Sequence, residues 1–160
     1  MNRFPFKAVE NILNDIDNKF ERINWGGCGH MACILYDALE PVVEDIVFRI
    51  AGGWEGLRDI DSIRPHIRNF TVSELYDNGI VNDHVWVEFM WKGKWYAIDA
   101  EGIRSRRAMY NEWRRPHEGS PTREEMDEYV SNGGWNPAFD KRQVPSMKLI
   151  AARKFNAVLN

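Results

Sequence analysis

The stretch DHVWVEFMWKGKWYAIDAEG, residues 83–102, decides the fold. Two runs that alternate apolar and polar residues flank Lys92-Gly93, and a two-residue connection between such runs is the mark of a β-hairpin. With Lys92 and Gly93 as the turn, Trp91 faces Lys94 and the register of every outer pair follows. Side chains alternate across a strand, so one face carries Val85, Val87, Phe89, Trp91, Tyr96, Ile98 and Ala100 and is a core face. The opposite face carries His84, Trp86, Glu88, Met90, Trp95, Ala97 and Asp99. In this register Asp99 stands opposite Trp86 and diagonal to His84, within reach of an imidazole–carboxylate pair. A bulge at Gly93 is the one local feature that alters the pairing.

Upstream, NWGGCGHMACILYDAL at residues 24–39 sets two glycines and a cysteine at the head of a helical pattern. Ala32, Leu35, Tyr36 and Leu39 recur at helical spacing, which predicts a helix from about Cys28 to Leu39, ended by Pro41. A thiol at a helix start meets the positive end of the dipole and unpaired backbone N–H groups, which favour thiolate and hold a developing oxyanion. Gly26 and Gly27 let a substrate approach the backbone there, and Trp25 falls nearest the thiol along the chain. Cys33 follows five positions later; on one helix the two are roughly 7.5 Å apart along the axis and about 140° apart around it. That is beyond comfortable disulfide reach, so a reduced pair in a cytoplasmic protein is expected. Cys28 as nucleophile, His84 as base and Asp99 as its orienter make the parts of cysteine-dependent acyl transfer. The Cys28 backbone N–H is one oxyanion donor, and no second donor is identified from the sequence.

The remainder fits one α+β domain over residues 1–160, since 44% hydrophobic content in 160 residues is enough to close a single core. Phe6, Val9, Ile12, Leu13, Ile16, Phe20 and Ile23 form an amphipathic helical pattern. VVEDIVFRI, residues 42–50, reads as a strand and AGGWEGLRD as a loop; TVSELYDNG suggests a short helix. SPTREEMDEYV is a helix capped by Ser120 with Pro121 at its first position, or by Thr122 with Glu125 in a capping box. The final SMKLIAARKFNAVLN fits helix or strand. A net charge of −3 offers no global attraction to nucleic acid or an anionic membrane. MNRFPFK lacks the apolar core of a signal peptide, and no run approaches membrane-spanning length.

GGCGHMACIL, followed by HVWVE and GKWYAIDAEG, resembles the transglutaminase-like cysteine superfamily within the wider papain-like fold. Members carry a Cys on a helix, a His-x-Trp-x-Glu strand and an Asp closing the next strand after a Gly-containing turn. The resemblance covers residues 24–102. It implies Cys28, His84 and Asp99 as a triad, N-terminal helices with the Cys helix packed on an antiparallel sheet, no cofactor, and a protein or peptide substrate. Gly29 stands where a large residue is frequent, and there is no acidic calcium loop. These departures point away from crosslinking and toward hydrolysis of an amide, peptide or isopeptide bond. A weaker resemblance, to NlpC/P60-type amidases, rests on a His-Val pair opening a strand and lacks the Trp-x-Glu continuation.

Other patterns compete for the functional residues. Cys28, His30, Cys33 and His84 make a nominal zinc set, but the spacing fits no standard finger and no metal is expected. Trp86 either contacts substrate or packs between the sheet and the Cys helix. NWGG, GGWEG and NGGWN pair tryptophan with glycines, as cleft walls or as pins for loops. His66 and His117 read as surface residues. Arg104, Arg106, Arg107, Arg114 and Arg115, with Tyr110 and Trp113 among them, offer a surface for a protein or nucleic acid, the basis of a non-catalytic binding module over residues 104–115.

Overall fold

The computed structural model describes residues 3–24, 26–52, 82–113, 121–131 and 139–160. In chain order these form α1 (Phe6–Lys19), α2 (Cys28–Leu39), β1 (Asp45–Gly52), β2 (Asn82–Trp91), β3 (Lys94–Asp99), β4 (Gly102–Ser105), α3 (Arg106–Glu112), α4 (Arg123–Ser131), a 3₁₀ turn (Lys141–Gln143) and α5 (Val144–Leu159). The strands make one antiparallel sheet in the order β1-β2-β3-β4. The class is α+β.

The β2–β3 hairpin has the register read from its sequence, from Val87 opposite Ile98 to Trp91 opposite Lys94, with no bulge at Gly93. Lys92 and Gly93 both take positive φ, 50° and 70°, the type I′ geometry whose twist matches the strands. Glu44, just before β1, accepts from both turn amides, Lys92 N at 2.6 Å and Gly93 N at 3.0 Å. An external carboxylate thus pins the turn.

The predicted core face is the core face. Val85, Val87, Phe89, Ile98 and Ala100 are buried in one cluster with Val9, Leu13 and Ile16 of α1, Met31 and Leu35 of α2, and Met147 and Phe155 of α5. Phe4 stacks on Phe89 at 5.0 Å and Tyr36 on Phe48 at 4.6 Å, contacts that add to area burial. The helix α2 has the predicted limits, yet it buries far more than one stripe: Cys28 through Leu35 are all buried. It packs against β2, α4 and α5 at once, and a helix apolar nearly all round is a central one.

Several expectations need correction. The apolar spacing of α1 runs on to Ile23, but the helix stops at Lys19; Phe20 is extended, at φ −115° and ψ 142°, and Phe20 and Ile23 are buried from irregular backbone. Val42 and Val43 turn back on Leu39 instead of opening β1, which starts at Asp45 and continues through Ala51 and Gly52, residues read as loop. The strand β4 was not anticipated. Thr122 caps α4, its Oγ1 accepting from Glu125 N at 3.1 Å, and the last segment is helical. The loop and short helix read between residues 53 and 81 lie outside the described residues. Among the described residues no helix is long and apolar enough to cross a membrane.

The second face of the hairpin is also buried. His84, Trp86, Glu88, Ala97 and Asp99 lie inside, with α3 packed over them through Met109, Tyr110 and Trp113. Trp86 therefore packs beneath α3 and not between the sheet and α2.

Candidate active site

Cys28 opens α2, where the first backbone N–H groups have no acceptor within the helix. The chain reaches it through Gly26 at φ 115°, a conformation that an L side chain rarely adopts. Gly27 has a different reason. A Cβ at this position would sit 2.6 Å from the Phe139 ring and 2.9 Å from the Ile23 carbonyl oxygen, so the space a side chain would need is filled by protein. Gly27→Ala is therefore expected to destabilise the fold by about 1–3 kcal/mol through overpacking beside Cys28. Denaturant midpoints check this, and an unchanged midpoint refutes the close approach.

The structure brings Cys28, His84 and Asp99 together from α2, β2 and β3. His84 Nε2 donates to Asp99 Oδ2 at 2.8 Å, and the same ring hydrogen-bonds the side chain of Cys28. Cys28, His84 and Asp99 are each buried, at 7%, 3% and 3% exposure, so the bonds are little screened. Burial alone would push the His84 imidazole down. The hydrogen bond to Asp99 first, then the contact with the Cys28 side chain and the charge of Asp99, outweigh it and raise the group from 6.5 to about 9. For Asp99 burial again opposes ionisation, and the imidazole, the Arg104 guanidinium and the Glu101 amide together hold the carboxyl below its ordinary value. His84 is an imidazolium at neutral pH.

A support that sequence reading missed lies behind Asp99. Arg104, on β4, places Nη2 at 3.1 Å from Asp99 Oδ2 and 3.2 Å from Glu101 Oε2, and its Nη1 pairs with Glu112. Glu101 N donates to Asp99 Oδ1 at 2.9 Å. The carboxylate is thus held on both oxygens. Ile103 and Arg104 alternate after Gly102 as a strand does, and that was the available signal. Above the pair, Trp113 stacks on the His84 ring with centroids 4.6 Å apart, and Trp86 lies against it at 5.8 Å.

The other candidates separate. Cys33 is a buried free thiol, pushed up to about 12 chiefly by burial. His30 is buried and stacked on Phe139 at 5.7 Å; burial, then the charges of Lys141 and Lys148, take it down to about 4, so it is neutral. Among the described residues no three His, Cys, Asp or Glu side chains are placed to share a metal ion, so the nominal zinc set is not gathered. Trp86 is wholly buried and donates from Nε1 to Glu88 at 3.3 Å. Trp25, His66, His117, Arg114 and Arg115 lie outside the described residues. A cavity of about 650 Å³, with Asp17, Glu21, Asn24 and Glu101 in its wall, opens beside the segment leading to Cys28. Burial, and then the charge of Asp99, raise the Asp17 carboxyl.

Comparisons with protein-family models, with curated proteins and with solved structures gave no match.

Proposed function

We propose that this chain is a cysteine-dependent acyl-transfer enzyme with a papain-like, transglutaminase-like arrangement, acting most simply as a hydrolase of amide, peptide or isopeptide bonds. The observation that carries this reading is the single buried imidazole that bonds Asp99 at 2.8 Å and Cys28 at the head of a helix. A thiolate next to an imidazolium is the reactive form of such a pair. Cys28 Sγ attacks the acyl carbon, and the carbonyl oxygen takes the negative charge beside the backbone N–H groups that open α2. As the C–N bond breaks, His84 gives its proton to the departing amine, leaving a thioester. His84, now neutral, takes a proton from water as the water oxygen bonds the acyl carbon. The C–S bond breaks, and the acid and the Cys28 thiolate are released.

The binding-module alternative is disfavoured by the placement of its arginines. Arg104 is engaged with Asp99, Glu101 and Glu112, and Arg106 with Glu88 and, at 4.2 Å, the Trp95 ring. Of the three described arginines, Arg107 alone is exposed.

An activated acetyl ester tests the reading directly. The expected result is a burst of leaving group and one acetyl group on the Cys28 peptide by mass mapping; acetylation elsewhere, with none on Cys28, refutes it. The pH profile is a second check. His84 with a midpoint raised to about 9 carries the leaving-group proton below that pH and loses it above, so amide turnover falls on the alkaline side through about pH 9. The sign for stability is the same. A raised imidazole stabilises the fold fully below its ordinary 6.5, and that contribution is lost as pH climbs through about 9. Turnover that holds level across about pH 8–10 removes His84 from the proton transfer.

A further inference from the structure

Glu88 lies on β2 four residues beyond His84, on the same face, with Trp86 between them, and its side chain is wholly buried. A carboxylate in such a place is costly unless it is paired. Besides Trp86 of its own strand, which donates to Oε1 at 3.3 Å, its partners come from two other elements. Arg49 Nε of β1 lies 3.3 Å from Oε2, Arg106 Nε of α3 lies 2.7 Å from the same oxygen, and Tyr110 of α3 hydrogen-bonds the carboxylate. The Arg106 Nε–H is not aimed at that oxygen, so this contact is ionic.

The helix α3 has seven residues, too few to be stable alone. Its place is set by what grips it. Glu88 grips it at its first residue, through Arg106, and again a turn later through Tyr110. The far end reaches the triad: Glu112 pairs with the Arg104 that holds Asp99, and Trp113 stacks on His84. We infer that Glu88 is a positioning residue of the active site, anchoring α3 so that its other end fixes the His84 ring and the Asp99 carboxylate. This rests on the reading of His84 as the proton carrier proposed above. The groups facing His84 are Asp99 from β3 and Cys28 from α2, with Arg104 of β4 behind Asp99; those facing Glu88 are Arg49, Arg106 and Tyr110.

The test uses the full chain, following the His84 ring titration by NMR and Cys28 alkylation by iodoacetamide. In Glu88→Gln the His84 midpoint is expected to move down from about 9 toward 6.5, with alkylation slowed about 10–100-fold by misplacement of the ring. Glu88→Asp, which keeps the charge, restores much of both. Arg106→Ala cuts one link to α3 from the half-exposed side, leaves Arg49 on Glu88, and shifts the midpoint in the same direction by less. A folded Glu88→Gln protein whose His84 midpoint stays in place overturns the inference. If that variant does not fold, an unmoved midpoint in Arg106→Ala overturns it instead. The ring titration needs no thiol chemistry, so the two readings fail separately. Slow wild-type alkylation with a shifting midpoint counts against the nucleophile; fast alkylation with a fixed midpoint counts against Glu88.

Discussion

Asp99→Asn leaves the hairpin folded and lowers the acylation of Cys28 by about 10⁴-fold. The fold survives because Asn still presents Oδ1 to the Glu101 amide, the bond that shapes the β3–β4 corner. The chemistry does not, for two reasons that act in the same direction. An amide nitrogen facing His84 Nε2 donates where the carboxylate accepted, which favours the wrong tautomer of the ring. The loss of the accepting carboxylate oxygen 2.8 Å from the imidazole also removes the hydrogen bond that is the largest of the effects holding the ring protonated against burial, and with it the weaker effect of the Asp99 charge. The His84 midpoint therefore falls together with the rate. Arg104 keeps Glu101 and Glu112 as partners, so the guanidinium is not stranded. Single-turnover acylation by an activated ester, alongside the ring titration, measures both effects, and near-wild-type turnover removes Asp99 from the mechanism.

Iodoacetamide near neutral pH labels Cys28 at least 10²-fold faster than Cys33. Only thiolate reacts appreciably. With its thiol pushed up to about 12, mainly by burial, Cys33 is ionised at neutral pH to roughly one part in 10⁵, and it is 2% exposed. Cys28 sits at the head of the same helix with the His84 ring bonded to its side chain. His84→Ala takes away that partner and slows labelling of Cys28 while leaving Cys33 as it was. Peptide mapping after short exposures gives both rates in one sample. Equal labelling of the two cysteines, or a Cys28 inert until the chain is unfolded, ends the nucleophile assignment.

The site was legible where local rules govern it. A type I′ turn fixes register, register fixes parity, and parity places His84 and Asp99 on one face; each step needs only residues 83–102. The limits of α2 were equally readable, because Gly27 and Pro41 bracket the apolar spacing. What escaped depends on contacts distant in sequence. Phe20 and Ile23 keep the helical spacing of α1 because irregular backbone there still faces the core, so periodicity alone overran the helix end. Gly27 was read as room for substrate, whereas Phe139 fills the space its missing side chain leaves, a contact no local pattern announces. Arginines 104 and 106 looked like a basic surface. Their acids are Asp99 and Glu88, which alternate on strands whose outer face turns out to be covered. A charge run cannot be told from an internal ion-pair set until the covering helix is known.

The hairpin that carries both His84 and Asp99 brings these two together through local contacts. The two residues are 15 apart in the chain, joined through a two-residue turn, and hairpins of this kind close in about 1–10 μs. The thiol is supplied from elsewhere, and it meets the ring only after α2 docks across the sheet. During synthesis Cys28 emerges well before His84 and Asp99. The docking that buries Met31 and Leu35 in the core therefore also carries Cys28 to the His84 ring.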